Sequence, residues 1–146
     1  MTANSSPSSP SDDVFALIER EQGRYLAELK EYLRIPSIST DPAYRQEVDR
    51  CADWLMAKMQ AAGLTTEKIA TAGHPLVYAD WLHAPGKPTV LCYGHYDVQP
   101  PDPLDLWVTP PFEPTVRNGN LYTHNEKKKK NRMMMHIKAL ETLRTL

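Results

Sequence analysis

The sequence predicts an α/β protein, a partial α/β/α sandwich in which helices pack on a mixed sheet. Three observations lead there. Apolar residues recur at helical spacing in two long early stretches and again near the end. Short segments between them alternate or run continuously apolar, as strands do. One of these, Val90 to Tyr93, enters from Pro88-Thr89, ends at Gly94 and is followed at once by His95 and Asp97. That is the pattern of a buried strand delivering polar groups to its carboxyl end, where open α/β sheets usually carry their function.

Residues 1–12 are rich in Ser and Pro with almost nothing to bury, and read as a disordered tail preceding a folded region over 13–146. Asp12 or Asp13 could cap the first helix, whose apolar positions are Val14, Leu17, Ile18, Tyr25, Leu26, Leu29 and Leu33. Ile35-Pro36 ends it, because a residue before proline avoids the α region. Glu47 to Ala62 is a second amphipathic helix with Val48, Cys51, Ala52, Leu55, Met56 and Met59 as its stripe and Gly63 as its stop. The methionines there are core filler.

Leu64 to Ile69 and Leu76 to Leu82 read as strands, and Ala84-Pro85-Gly86-Lys87 as the turn into the apolar run. His74 and His83 lie beside turns and fit surface roles. Prolines limit regular structure from Pro100 to Pro114. Trp107 and Phe112 could wall a cleft there or simply pack a long loop onto the body. Asn118-Gly119 is a strong two-residue hairpin turn between Thr115–Arg117 and Asn120–Tyr122. Met133 to Leu146 has helical spacing through Met134, Ile137, Ala139 or Leu140, and Leu143, with the methionine run expected in the core.

Composition excludes several functional classes. A chain of 146 residues is long enough for one core, and its net charge of −1 gives no basic field for nucleic acid. The run Lys127 to Lys130 with Arg132 has no aromatic residue interleaved and reads as a solvated loop. No apolar run approaches the ~18–20 residues that a membrane span needs. There is no basic n-region followed by an apolar h-region, so no secretory signal is expected. Cys51 and Cys92 sit on a helix face and in the apolar run, and both are expected as buried free thiols. That usage suits a reducing, cytoplasmic location.

The chemistry centres on His95 and Asp97. On a continuing strand, residues two apart share a face. An imidazole can give one nitrogen to a metal and its other N–H to a carboxylate, which fixes the tautomer and strengthens the donor. His95 is therefore a candidate metal ligand and Asp97 the site residue that orients it. A surface loop holding one His and one Asp is the alternative from spacing alone.

The surroundings of the pair carry a resemblance. Gly94-His95-Tyr96-Asp97-Val98-Gln99-Pro100, then Trp107, Pro111-Phe112-Glu113-Pro114 and Asn118-Gly119-Asn120-Leu121-Tyr122, closely resembles the M20 family of metallopeptidases, in particular its dipeptidase, carnosine dipeptidase-like branch. The likeness extends to Leu33 to Ser39, Cys51 to Leu64 and Met133 to Leu143. It implies a catalytic domain that hydrolyses peptide or amide bonds with zinc, manganese or cobalt in a two-metal site. It also implies small peptide substrates and a homodimer built through a separate inserted domain.

The chain departs from that pattern after the hairpin. The family reads roughly Tyr-(Gly/Ala)-Arg-Gly-x-x-Asp-Asp-Lys-Gly, the first Asp bridging the two metals. Here Lys128 stands at that place, Lys129 at the second Asp, and only Lys130 agrees. An ammonium about 4 Å from a dication is repelled by roughly 8 kcal/mol at an effective dielectric near 20, so an undisturbed two-metal centre is not expected. His124 and Glu126 are the nearby substitute donors. The family's later ligands, its general-base Glu and its dimerisation domain have no counterpart, so the chain matches the family's N-terminal catalytic part and is expected to be incomplete or inactive. The alternative is a non-catalytic remnant or interaction domain.

Overall fold

The computed structural model describes residues 9–124 and 129–146. Three helices carry the architecture: α1 (Pro10–Arg34), α2 (Arg45–Ala61) and α3 (Lys129–Thr145). Two antiparallel pairs supply the strands, β1 (Thr65–Ile69) with β2 (Leu76–Asp80) and β3 (Thr115–Arg117) with β4 (Asn120–Tyr122). The α/β class is as expected. The strands form two separate two-stranded sheets.

Helix α1 begins earlier than Asp12 or Asp13. Ser9 is its N-cap, accepting from the Asp12 amide, and the Asp12 side chain accepts from the Ser9 amide in return, with Pro10 opening the first turn. Ser-Pro is thus a start signal here, and Pro10 to Asp12 belong to the helix. Helix α2 starts at Arg45 and buries Val48, Cys51, Ala52 and Leu55. It ends where Gly63, at φ +81°, donates to the Gln60 carbonyl at 2.7 Å.

The β1–β2 pair lies against α2, with Thr65 opposite Asp80 and Ile69 opposite Leu76. The second hairpin turns at Asn118 and Gly119, whose φ values of +50° and +76° are those of the tight turn expected from the dipeptide. The core gathers Tyr32 and Ile35 from the end of α1, Cys51 and Leu55 from α2, and Met134 and Ile137 from α3. Tyr32 stacks on Trp54 with ring centroids 4.9 Å apart. Away from the core, α1 and α3 are tied by charge: Arg24 meets Glu141 at 2.5 Å, and Lys138 pairs with Glu28 and Glu141.

Three sequence expectations are corrected. Val90 to Tyr93 is not a buried strand; Leu91 is 89% exposed and no strand pairs with the segment among the described residues. Its apolar character signals a strand former, but no described neighbour offers it a hydrogen-bonding edge. Cys92 is consequently exposed, whereas Cys51 is buried as expected. On α3, Met134 and Ile137 are buried but Met135 and Leu143 are each 67% exposed, and the buried face is completed by Lys130, Lys138 and Thr142. No described helix is long and apolar enough to cross a membrane.

Candidate functional site

The backbone around His95 is held by a second segment rather than by a strand of its own. Val98 forms a parallel bridge with Ile38. The Val98 amide donates to the Ser37 carbonyl at 2.9 Å, and the Ser39 amide donates to the Val98 carbonyl at 3.3 Å. The Ser37 hydroxyl donates to the Tyr96 carbonyl at 2.6 Å. The exit from α1, bent outward at Ile35-Pro36, thus runs alongside residues 96–98. Ile38 and Val98 are both buried, so this junction is anchored from the inside. The Tyr96 hydroxyl donates to the Pro75 carbonyl at 2.5 Å, and burial pushes that phenol up to about 12, so it stays a donor at ordinary pH.

His95 and Asp97 are brought together, though not on a strand. His95 Nδ1 lies 3.2 Å from Asp97 Oδ1. The second carboxylate oxygen, Oδ2, accepts from the Ser39 hydroxyl at 2.7 Å. Burial alone would raise the Asp97 pKa. The Ser39 hydrogen bond, the Lys129 ammonium and His95 outweigh it and hold the carboxyl below its usual range. An ionised carboxylate only accepts, so the proton of the shared bond resides on Nδ1. Nε2 then points away from Asp97, and the Tyr93 hydroxyl lies 3.1 Å from it. The His95 side chain is 48% exposed and that of Asp97 25%, which places the pair at an open surface with the carboxylate tucked behind the ring. Two shallow depressions beside Arg45, Asp49, Gly73 and Pro75 include neither residue.

Among the described residues, the other candidates make contacts of their own. His124 is structural: its Nε2 lies 2.8 Å from the Gln99 carbonyl oxygen, and its ring takes edge contacts from Trp107 and Phe112. Those two aromatics hold the proline-rich loop against His124, and within the loop Trp107 Nε1 donates to the Pro101 carbonyl at 2.9 Å. His74, assigned a surface role, is half-buried, and its Nε2 lies 2.8 Å from the Ser39 carbonyl oxygen. Lys127, Lys128 and Glu126 lie outside the described residues. Lys130 is buried, with Nζ 2.6 Å from the Ile35 carbonyl oxygen and 3.2 Å from that of Tyr32.

Sequence reasoning missed Ser39. Its only signal was its place in Pro36-Ser37-Ile38-Ser39, which marks a helix exit and says nothing about a partner 58 residues later. As a donor set, the pair suits one metal ligand and its orienter: a neutral imidazole with Nδ1–H engaged and Nε2 directed outward. Among the described residues no group of three or more His, Cys, Asp or Glu side chains comes together. The described residues therefore do not make up a two-metal centre.

No family model matches the chain. Individual proteins do. The Cys-Gly metallodipeptidase of Schizosaccharomyces pombe is 30% identical over 92% of this chain, and the human Beta-Ala-His dipeptidase 32% identical over 97%. The chain spans 31% of the length of each of these curated relatives. Among solved structures, human carnosine dipeptidase 1 superposes with a TM-score of 0.83 at 30% identity, covering 96% of this chain and 32% of that one. An M20 family metallo-carboxypeptidase from Sulfolobus solfataricus gives 0.73 at 36% identity over 82% of this chain and 26% of its own.

Proposed function

We propose, for a chain that belongs to the M20 metallopeptidase family, that His95 and Asp97 are the metal-ligand and orienting pair of a dipeptidase-type peptide hydrolase. The single observation that carries this reading is the 3.2 Å approach of His95 Nδ1 to an ionised Asp97. Asp97 keeps the ring proton on Nδ1 and holds the ring in one orientation, leaving Nε2 to bind a divalent ion. Imidazole nitrogen accepts zinc, manganese or cobalt alike. In such hydrolases a bound metal ion polarises the scissile carbonyl and acidifies a water molecule. The substrates by this reading are small peptides, as the names of the relatives suggest, and the location is cytoplasmic.

We further propose that this polypeptide alone binds at most one metal ion and does not turn over dipeptides. One imidazole with one orienting carboxylate leaves most of a coordination shell to water, and no second metal site is assembled by the described residues. Equilibrium dialysis against zinc, paired with a dipeptide hydrolysis assay, tests both statements. The expected result is one weakly held zinc per chain and no hydrolysis. Two tightly held ions, or turnover of a dipeptide, would contradict it.

The second reading is a non-catalytic interaction domain. The exposed apolar run Val90, Leu91 and Tyr93 favours it, since a strand former without a described partner is a natural edge for another chain. Concentration-dependent self-association lost on Leu91→Lys would support that reading, and a monomer at all concentrations would count against it.

A further inference from the structure

We propose that Ser39 is a positioning residue for the His95–Asp97 pair: its hydroxyl locks the Asp97 carboxylate in the rotamer that keeps His95 Nδ1 protonated and Nε2 turned outward. The inference deepens the metal-ligand reading above and rests on it for its functional meaning, although its geometry stands independently. Asp97 uses both oxygens, Oδ1 toward His95 at 3.2 Å and Oδ2 from Ser39 at 2.7 Å. Rotation about the Asp97 side chain that kept one bond would break the other. A hydroxyl donating to a carboxylate is a charge-assisted bond, stronger than a neutral one.

The serine is itself well placed to act as a fixed point. Its amide donates to Val98, its carbonyl oxygen lies 2.8 Å from His74 Nε2, and the neighbouring Ile38–Val98 bridge is buried. The position of Ser39 therefore comes from backbone bonds that do not involve its hydroxyl. Removing the hydroxyl should loosen Asp97, which keeps its His95 contact and the nearby Lys129 charge, while the junction stays formed. With Asp97 loosened, the ring's own preference and, among the described residues, the Tyr93 hydroxyl beside Nε2 bias which nitrogen carries the proton.

The test compares wild type with Ser39→Ala, Ser39→Cys and Ser39→Thr. The imidazole ¹⁵N shifts of His95 are compared across the four proteins at a single alkaline pH of about 9. Wild type and Ser39→Thr, which keeps the hydroxyl, should show the Nδ1–H tautomer. Ser39→Ala, and Ser39→Cys with its weak donor, should show a mixture of the two tautomers. Zinc affinity, measured by dialysis, should fall about tenfold or more in Ser39→Ala and Ser39→Cys and be retained in Ser39→Thr. A tautomer unchanged in both Ser39→Ala and Ser39→Cys would overturn the proposal. A shifted tautomer in a chain whose wild type binds no zinc would uphold the positioning role and overturn the metal-ligand reading instead.

Discussion

The Lys130 ammonium lies inside the protein, 2.6 Å from the carbonyl oxygen of Ile35. It also reaches the Tyr32 carbonyl at 3.2 Å and sits 4.9 Å from the centre of the Tyr32 ring. These are carbonyls from the end of α1; each also accepts a backbone amide, Tyr32 from Ile35 at 3.4 Å and Ile35 from Ser37 at 2.9 Å, and Lys130 adds a second, charged donor to both. One side chain from the first turn of α3 thus caps α1 at the point where the chain bends toward Ser37 and Ser39. Burial pushes its pKa down, the expected sign for an ammonium taken out of water.

Lys130→Ala should therefore destabilise the fold by roughly 2–4 kcal/mol, because it removes the charged donor shared by two carbonyls at the end of α1 and leaves a cavity beside Tyr32. Urea unfolding followed by tryptophan fluorescence measures this. A change under about 0.5 kcal/mol, the range of ordinary surface substitutions, would show that the cap contributes nothing.

The α1–α3 contact should make the protein sensitive to acid through Glu28. Burial alone would raise its pKa, but Lys138, Lys58 and Arg24 prevail and hold it below the usual value. A carboxylate with a lowered folded pKa contributes stability above its unfolded value, near 4.3, and that contribution is lost as pH falls through the folded value. Glu28→Gln should be less stable than wild type at pH 7 and should lose less stability between pH 5 and pH 2, the interval bracketing those values. Parallel stability–pH curves for the two proteins would contradict the assignment.

Hydrogen exchange should separate the two halves of the stretch around His95. Amides of residues 90–94 have no described strand partner and should exchange quickly. The amides of Val98 and Ser39, bonded across the buried Ile38–Val98 junction, should be protected. Protection of residues 90–93 equal to that of Val98 would restore the buried strand expected from the sequence.

That contrast marks where the sequence was legible. The Asn118-Gly119 turn, the α2 stripe around Cys51 and the meeting of His95 with Asp97 depend on residues close together in the chain, and local spacing determines them. The strand expected at Val90 to Tyr93 needed a distant neighbour, and an apolar run specifies the need for one without naming it. Leu143 satisfied the helical period of α3 yet lies outside the core, because the helix turns the face carrying Lys138 and Thr142 inward instead. Lys130 and Ser39 were opaque for the same reason: each acts on groups more than fifty residues away, through contacts that only the tertiary fold creates.

The metal-ligand role of His95 is tested most directly by zinc equilibrium dialysis on the wild type, His95→Ala and Asp97→Ala. Wild type should hold one ion, His95→Ala none, and Asp97→Ala should bind about 10–100-fold more weakly, as expected when the group that orients a ligand is removed. Equal zinc content in all three proteins would contradict the account.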